Sequence, residues 1–401
     1  MARDSEGASA TSLADTTPIA EAGQHYLLQR DVAFLNHGSY GACPRPVFET
    51  YQRWQRELQA EPVEFLGRRL KGLLADARER LAEYVGTRAT NIVFVPNTTH
   101  GINIVARSLD LQPGDEVLGT DHEYGAVERT WRFICDRCGA YYRSQHIQLP
   151  VVSRGEIVEQ LWPGVTERTR VIVASHITSP TALIFPVEEI CRRARKETIL
   201  TVIDGAHAPG QLDMDLDRLG ADFYVGNCHK WLSAPVGAGF LYARPEYQPL
   251  LKPLVVSWGW QARDPGPSPF HDLFDWIGTD DPSAYLSVPA AIAFQQEHEW
   301  SRVRTACHQL AMEARKRIAL LTGLPQICPD TSDWWGQMCA VPLPVEGVMP
   351  AKDFQRRLWD ECQVEVPATE WQSWRLLRVS IQAYNSPRDV GRLLDGLAHF
   401  L

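Results

Sequence analysis

Between residues 91 and 243, short apolar runs alternate with segments of helical periodicity, and this alternation limits the possible folds more tightly than anything else in the chain. "NIVFV" (91–95), "DEVLG" (115–119), "RVIVAS" (170–175), "ILTVIDGA" (199–206), "ADFYVGN" (221–227) and "GAGFLYA" (237–243) have strand length and are rich in β-branched and aromatic residues. "YYRSQHIQL" (141–149) adds a seventh strand. Between them lie "THGINIVARSL" (99–109), "GAVERTWRFICDRCG" (125–139), a segment near 153–162 and "PVEEICRRARKE" (186–197), all with helical spacing. Strands that are apolar throughout are buried on both faces, as a parallel sheet covered by crossover helices requires. The pattern predicts an α/β fold with a mostly parallel seven-stranded sheet.

The flanking segments complete the layout. Apolar residues at helical spacing run from Val47 to Leu81, which predicts helix over 47–85. The stretch 252–284 is rich in Pro, Gly, Trp and Asp, and so long an irregular segment inside a compact chain is usually functional. A helical pattern over 286–321 then leads to strands near 337–343, 362–367 and 375–381 and helices near 351–361 and 386–401. We therefore expect a large domain over 31–285 and a smaller α+β domain over 286–401. Residues 1–30 are expected to be a disordered tail and an N-terminal segment.

Composition narrows the partners. With 49 acidic and 40 basic residues the formal net charge is −9, which disfavours nucleic acid or an anionic membrane surface. The first 23 residues lack the apolar core of a secretory signal, and no run reaches membrane-spanning length. The nine cysteines include one CxxC, Cys135 and Cys138, without the second pair that a structural zinc site needs. These points favour a cytoplasmic protein without a metal.

In open parallel sheets ligands bind beyond the carboxyl ends of the strands, so the residues there carry the functional reading. After "NIVFV" come Thr98 and Thr99 at the start of a helix, either a simple cap or an anion site built from free N–H groups and hydroxyls. After "ILTVI" comes Asp204, an acid that needs a cationic partner if buried. After "ADFYV" come Asn227, His229 and Lys230. A lysine in a semi-buried pocket loses basicity and forms Schiff bases. An anion cup, a buried acid and a lysine at successive strand ends together suit pyridoxal 5'-phosphate, which needs a phosphate site, a partner for its ring nitrogen and an amine.

"FLNHGSYGACPRPVFE", "EPVEFLGRR", "DHEYGA", "VIDGAHAPG", "GNCHKWLSAPVGAGFL" and "RVSIQAYN" resemble the class V aminotransferase family of pyridoxal-phosphate enzymes, and its epimerases most of all. The likeness spans about 30 to 401 and implies the fold of aspartate aminotransferase. It implies Lys230 as the Schiff-base and proton-transferring lysine and Asp204 as the partner of the ring nitrogen. It places His207 near the cofactor's phenolic oxygen and Thr98, Thr99, Asn227 and His229 at its phosphate. Tyr124 falls where a residue stacks on the ring, with His122 as its rival. Thr279 would reach the phosphate of a partner subunit, so a homodimer with shared sites is implied. Arg378 matches the substrate-carboxylate arginine, and Asn36, His37 and Ser39 fall in a segment that closes over substrate. Trp258 and Trp260 either line a pocket for a bulky substrate or pack a loop.

The expected reaction is epimerisation at the Cα of an amino acid or peptide-like amino acid. That needs a proton donor opposite Lys230, for which Tyr124 and His37 are candidates. The alternative is β-elimination by a C–S lyase on a cysteine conjugate. Transamination is neither required nor forbidden. Cysteine desulfuration is disfavoured, because "PATEWQSWRLL" (367–377), just before Arg378, holds no cysteine. Retention of Lys230, Asp204 and Arg378 together argues against a non-catalytic binding protein.

Overall fold

A computed structural model describes residues 18–345 and 349–401. After β1 (Ala33–Phe34) come the seven strands of the main sheet: β2 (Ile92–Val95), β3 (Glu116–Thr120), β4 (Tyr141–Gln145), β5 (Thr169–Ser175), β6 (Leu200–Gly205), β7 (Phe223–Asn227) and β8 (Gly239–Ala243). Their order is β2-β8-β7-β6-β5-β3-β4, and only β8 runs antiparallel to its neighbours. The central strands alternate between two cores. Val171, Val173, Val202 and Val225 pack on one face of the sheet, and Ile172, Ala174, Ile203 and Tyr224 on the other. That two-sided burial is why these strands read as unbroken apolar runs. Apart from Arg170 at the start of β5, exposed polar residues of the sheet lie on β4, at its edge.

Beyond the sheet lie β9 (Met338–Leu343), β10 (Val364–Glu365), β11 (Ala368–Trp371) and β12 (Trp374–Ser380). β11, β12 and β9 form a small antiparallel sheet, whereas β10 pairs with β1. The N-terminal segment is thereby stitched to the C-terminal part of the chain. Among the described residues no helix is long and apolar enough to cross a membrane, and no three His, Cys, Asp or Glu side chains are placed to hold a metal.

Four expectations need correction. Residues 18–23 form a short helix whose Ala22 is fully buried, so the tail does not extend to 23; its earlier residues lie outside the described ones. The helical pattern over 47–85 breaks at Glu61-Pro62, where proline cannot continue the preceding turn. The pattern over 286–321 is two helices, Val288–Glu297 and Trp300–Thr322, separated where Glu299 takes a left-handed backbone with φ of 47°. The segment before Arg378 is a β-hairpin rather than a loop, closed by Gln372 with φ of 53°.

Candidate active site

The carboxyl ends of β6 and β7 meet the N-terminus of helix Thr98–Ser108, the turn around Ser39, and β12. They enclose a cavity of about 230 Å³ bordered by Ser39, Thr98, Thr99, Tyr124, Asp204, His207, Asn227, His229, Lys230 and Arg378, together with Ser179. The strand-end residues of "ILTVID" and "ADFYVGN" thus converge, as the parallel topology dictates.

Lys230 stands three residues beyond β7, its Nζ 3.3 Å from His207 Nε2. Burial and the Arg378 charge bring the amine down to about 8, against the pull of Asp204. An amine so shifted has a far larger free-base fraction near neutrality than an ordinary lysine, and that fraction is the nucleophile. Asp204 is buried, and its Oδ1 accepts the Ala206 N–H at 2.9 Å. Burial raises this carboxyl above the usual range, opposed by that hydrogen bond and by Lys230. A buried acid held by one backbone donor is suited to an incoming cationic N–H.

The anion cup stands at the helix start. Asn227 Oδ1 accepts the Thr98 N–H at 2.8 Å, and Asn97 Oδ1 accepts that of His100 at 2.9 Å. Thr98 Oγ1 is buried with no partner among the described residues. An unpaired buried hydroxyl costs about 1–3 kcal/mol, which a ligand oxygen at this site would recover. His229 Nδ1 donates to the Ala238 carbonyl at 3.0 Å, leaving Nε2 uncommitted; burial lowers the ring to about 4. A bound dianion would oppose that burial and favour the charged ring.

Arg378 donates through Nη1 to the Ser179 carbonyl at 2.8 Å and through Nη2 to Ser39 Oγ at 3.2 Å. Its Nε is buried without a partner, and no carboxylate pairs with it among the described residues. Burial takes the guanidinium down to about 10. A sheltered cation without an acid is costly unless a carboxylate arrives from outside. Ser39 is itself held by Asn36, whose Oδ1 accepts the serine hydroxyl at 2.6 Å and whose Nδ2 donates to Glu365 Oε1 at 3.0 Å.

Other candidates sit elsewhere. His37 is fully buried behind the lysine: Nε2 donates to the Lys230 carbonyl at 3.0 Å, and Nδ1 lies 3.0 Å from the Tyr384 hydroxyl. With both nitrogens committed and burial lowering it to about 3, His37 neither borders the cavity nor serves as a proton donor in it. Asn36 likewise touches Ser39 and does not itself border the cavity. His122 is buried between Thr181 Oγ1 (2.7 Å) and the Ile147 carbonyl (3.1 Å), packed on Trp371; Tyr124, half-exposed, is the one at the cavity. Thr279 is exposed and outside the cavity of its own chain. Trp258 and Trp260 are exposed too, neither lining this cavity nor packed in the core. Sequence reading missed Ser179, which follows β5 by four residues and was within reach of the same strand-end argument.

The sequence model of the Aminotransferase class-V family matches residues 39–393. The chain belongs to the class V aminotransferase family. Two class V relatives named isopenicillin N epimerase, from Amycolatopsis lactamdurans and Streptomyces clavuligerus, are 37% and 35% identical, covering 95% and 94% of this chain and 98% and 97% of their own. A putative L-cysteine desulfhydrase from Oryza sativa subsp. japonica is 30% identical over 91% of this chain and 82% of its own length. A solved structure of the lyase C-DES with glycine linked to its pyridoxal-phosphate cofactor superposes with a TM-score of 0.81 over 93% of this chain and 97% of that one, at 22% identity.

As a class V enzyme the protein uses pyridoxal phosphate, and the residues present fit it. The orphaned Thr98 hydroxyl, the helix N-terminus, Asn227 and His229 suit its phosphate; Asp204 suits its ring nitrogen; Lys230 supplies the amine. When bound, the cofactor draws electrons away from the Cα of an amino acid and so acidifies its hydrogen. Arg378 would hold the substrate carboxylate.

Proposed function

We propose that the protein is an epimerase that inverts the Cα of an amino acid or peptide-like amino acid, working as a cytoplasmic homodimer with shared sites. The observation that carries this reading is the pairing, around one cavity, of an amine of lowered basicity with a half-exposed phenol, beside an arginine that lacks an acid. Inversion needs one group to remove the Cα proton and another to return one on the opposite face. Lys230 takes the first role and Tyr124 the second, while Arg378 anchors the carboxylate. The 37% and 35% identity to relatives named for such a reaction, over nearly full length, supports the assignment.

β-Elimination from a cysteine conjugate is the second reading, favoured by the 30% identical relative named as a desulfhydrase. Desulfuration finds less support: no cysteine borders the cavity, and the segment before Arg378 is a paired hairpin.

Proton NMR in deuterated water, with L-amino acids, cysteine conjugates and aminoadipoyl peptides, tests the reading. Epimerisation predicts Cα deuteration with intact substrate of mixed chirality. Release of pyruvate and ammonia would replace it with the lyase.

A further inference from the structure

Trp231, next to the lysine, makes a contact that sets the chemistry of its neighbour. The indole is fully buried, and its Nε1–H donates to His207 Nδ1 at 3.2 Å. An indole N–H can only donate, so Nδ1 must accept. In a neutral imidazole the ring hydrogen then resides on Nε2. Neutrality follows from the setting, since His207 is buried close to the cationic groups Lys230 and Arg378. Nε2 is the nitrogen 3.3 Å from Lys230 Nζ, and His207 borders the cavity.

Trp231 is itself clamped. Gln295 Nε2 donates to its carbonyl at 2.9 Å, and the His37 ring lies 4.9 Å from the indole. Gly210, with φ of 93°, approaches so closely that a Cβ there would fall 2.2 Å from the Trp231 carbonyl carbon. Gln295 and Gly210 thus fix the Trp231 backbone, while the fully buried indole is packed against the His37 ring and held toward His207.

We infer that Trp231 is a positioning residue that locks His207 with its hydrogen on Nε2, fixing it as a hydrogen-bond donor into the cofactor site. Two consequences follow. An N–H facing Nζ disfavours the ammonium form, which offers only donors, and so enlarges the free-base fraction of the lysine. The same N–H is ready to donate to an oxygen of the cofactor held by that lysine. Donation stabilises that oxygen as an anion most when no proton on the linked nitrogen shares it, so it lowers the pKa of the cofactor–lysine linkage. The inference rests on the cofactor and not on the reaction proposed above.

The test uses Trp231→Phe, which deletes the N–H and keeps an aromatic ring. Nitrogen-15 histidine spectra of the cofactor-free chain report the His207 tautomer directly. The wild type is expected to carry the hydrogen on Nε2, and the variant to populate the Nδ1–H form. In the loaded protein, absorbance titration should show the linkage pKa rising by about one pH unit in Trp231→Phe. The substitution should add nothing further in a His207→Gln background, where there is no tautomer to lock. A wild-type hydrogen on Nδ1, or an unchanged tautomer in Trp231→Phe, overturns the inference. Should Trp231→Phe not fold, the wild-type spectrum alone decides. Neither readout depends on which reaction is catalysed.

Discussion

Arg378 and Lys230 are coupled residues with separately measurable contributions. Arg378 lies in the cavity with Lys230 and lowers its amine. Arg378→Ala should raise KM for a carboxylate-bearing substrate about 100-fold, the worth of a two-point charge-assisted contact. Arg378→Lys should recover only part of it, because an ammonium lacks the planar fork. A KM that is unchanged in both would remove Arg378 from substrate binding. Lys230 also leaves a mark on stability. Its folded pKa of about 8 lies below the ordinary 10.5, so between those values the unfolded chain binds more protons than the folded one. Stability of the cofactor-free chain should therefore rise with pH across that window, by an amount on the order of 2 kcal/mol, and the rise should vanish in Lys230→Met. Denaturant titrations of both proteins at pH 8 and pH 10 measure it. The identity of these residues was legible in the sequence, because an acid or a lysine at the end of an apolar strand has few structural explanations. The direction a side chain takes was not. His37 stood beside Tyr124 as a second candidate proton donor, yet the backbone directs the first behind the lysine and a helix start directs the second to the cavity.

Helix Thr98–Ser108 shows what an element adds to its residues. Its first turn has two side-chain acceptors, Asn97 and Asn227, and one buried hydroxyl, that of Thr98, with no partner among the described residues. Thr98→Val removes only the orphan. The cofactor-free protein should keep its stability or gain slightly, whereas pyridoxal phosphate affinity should fall about tenfold. Fluorescence titration of the cofactor paired with thermal unfolding separates the two effects; a loss of stability without a loss of affinity would make Thr98 a structural residue. Elements buried on both faces were readable because their composition follows from burial alone. β11 was not, since "ATEW" alternates polar and apolar residues weakly and is defined by its pairing with β12. The break at Glu299 had no proline or glycine to announce it. It follows from tertiary packing, with the Trp300 indole donating to the Gly210 carbonyl at 3.2 Å.

At the scale of the whole molecule, segment 252–284 is not irregular throughout as its composition suggested, since Pro269–Phe274 is a short helix with Phe270 and Phe274 buried, but the stretch before it stands at the surface. Trp258 is 84% exposed there, and Val256 and Trp260 are exposed beside it. Apolar side chains grouped in this way on a surface mark an interaction site more often than chance exposure does. Thr279, in the same segment, lies outside its own cavity, so a role at a phosphate requires a second copy of the chain. Hybrid dimers test this directly. Thr279→Glu should place a negative charge against the partner's phosphate and lower activity about 100-fold, while Lys230→Ala removes the amine of its own site. Each variant alone should be nearly inactive. Mixed in equal amounts, half of the dimers would be hybrids, and each hybrid would hold one intact site, with Lys230 from one chain and Thr279 from the other. Activity should then return to about a quarter of the wild-type level. If Thr279→Glu is already fully active, or if mixing restores nothing while sedimentation shows that hybrids form, Thr279 does not act across the subunits, and the exposed tryptophans need another partner.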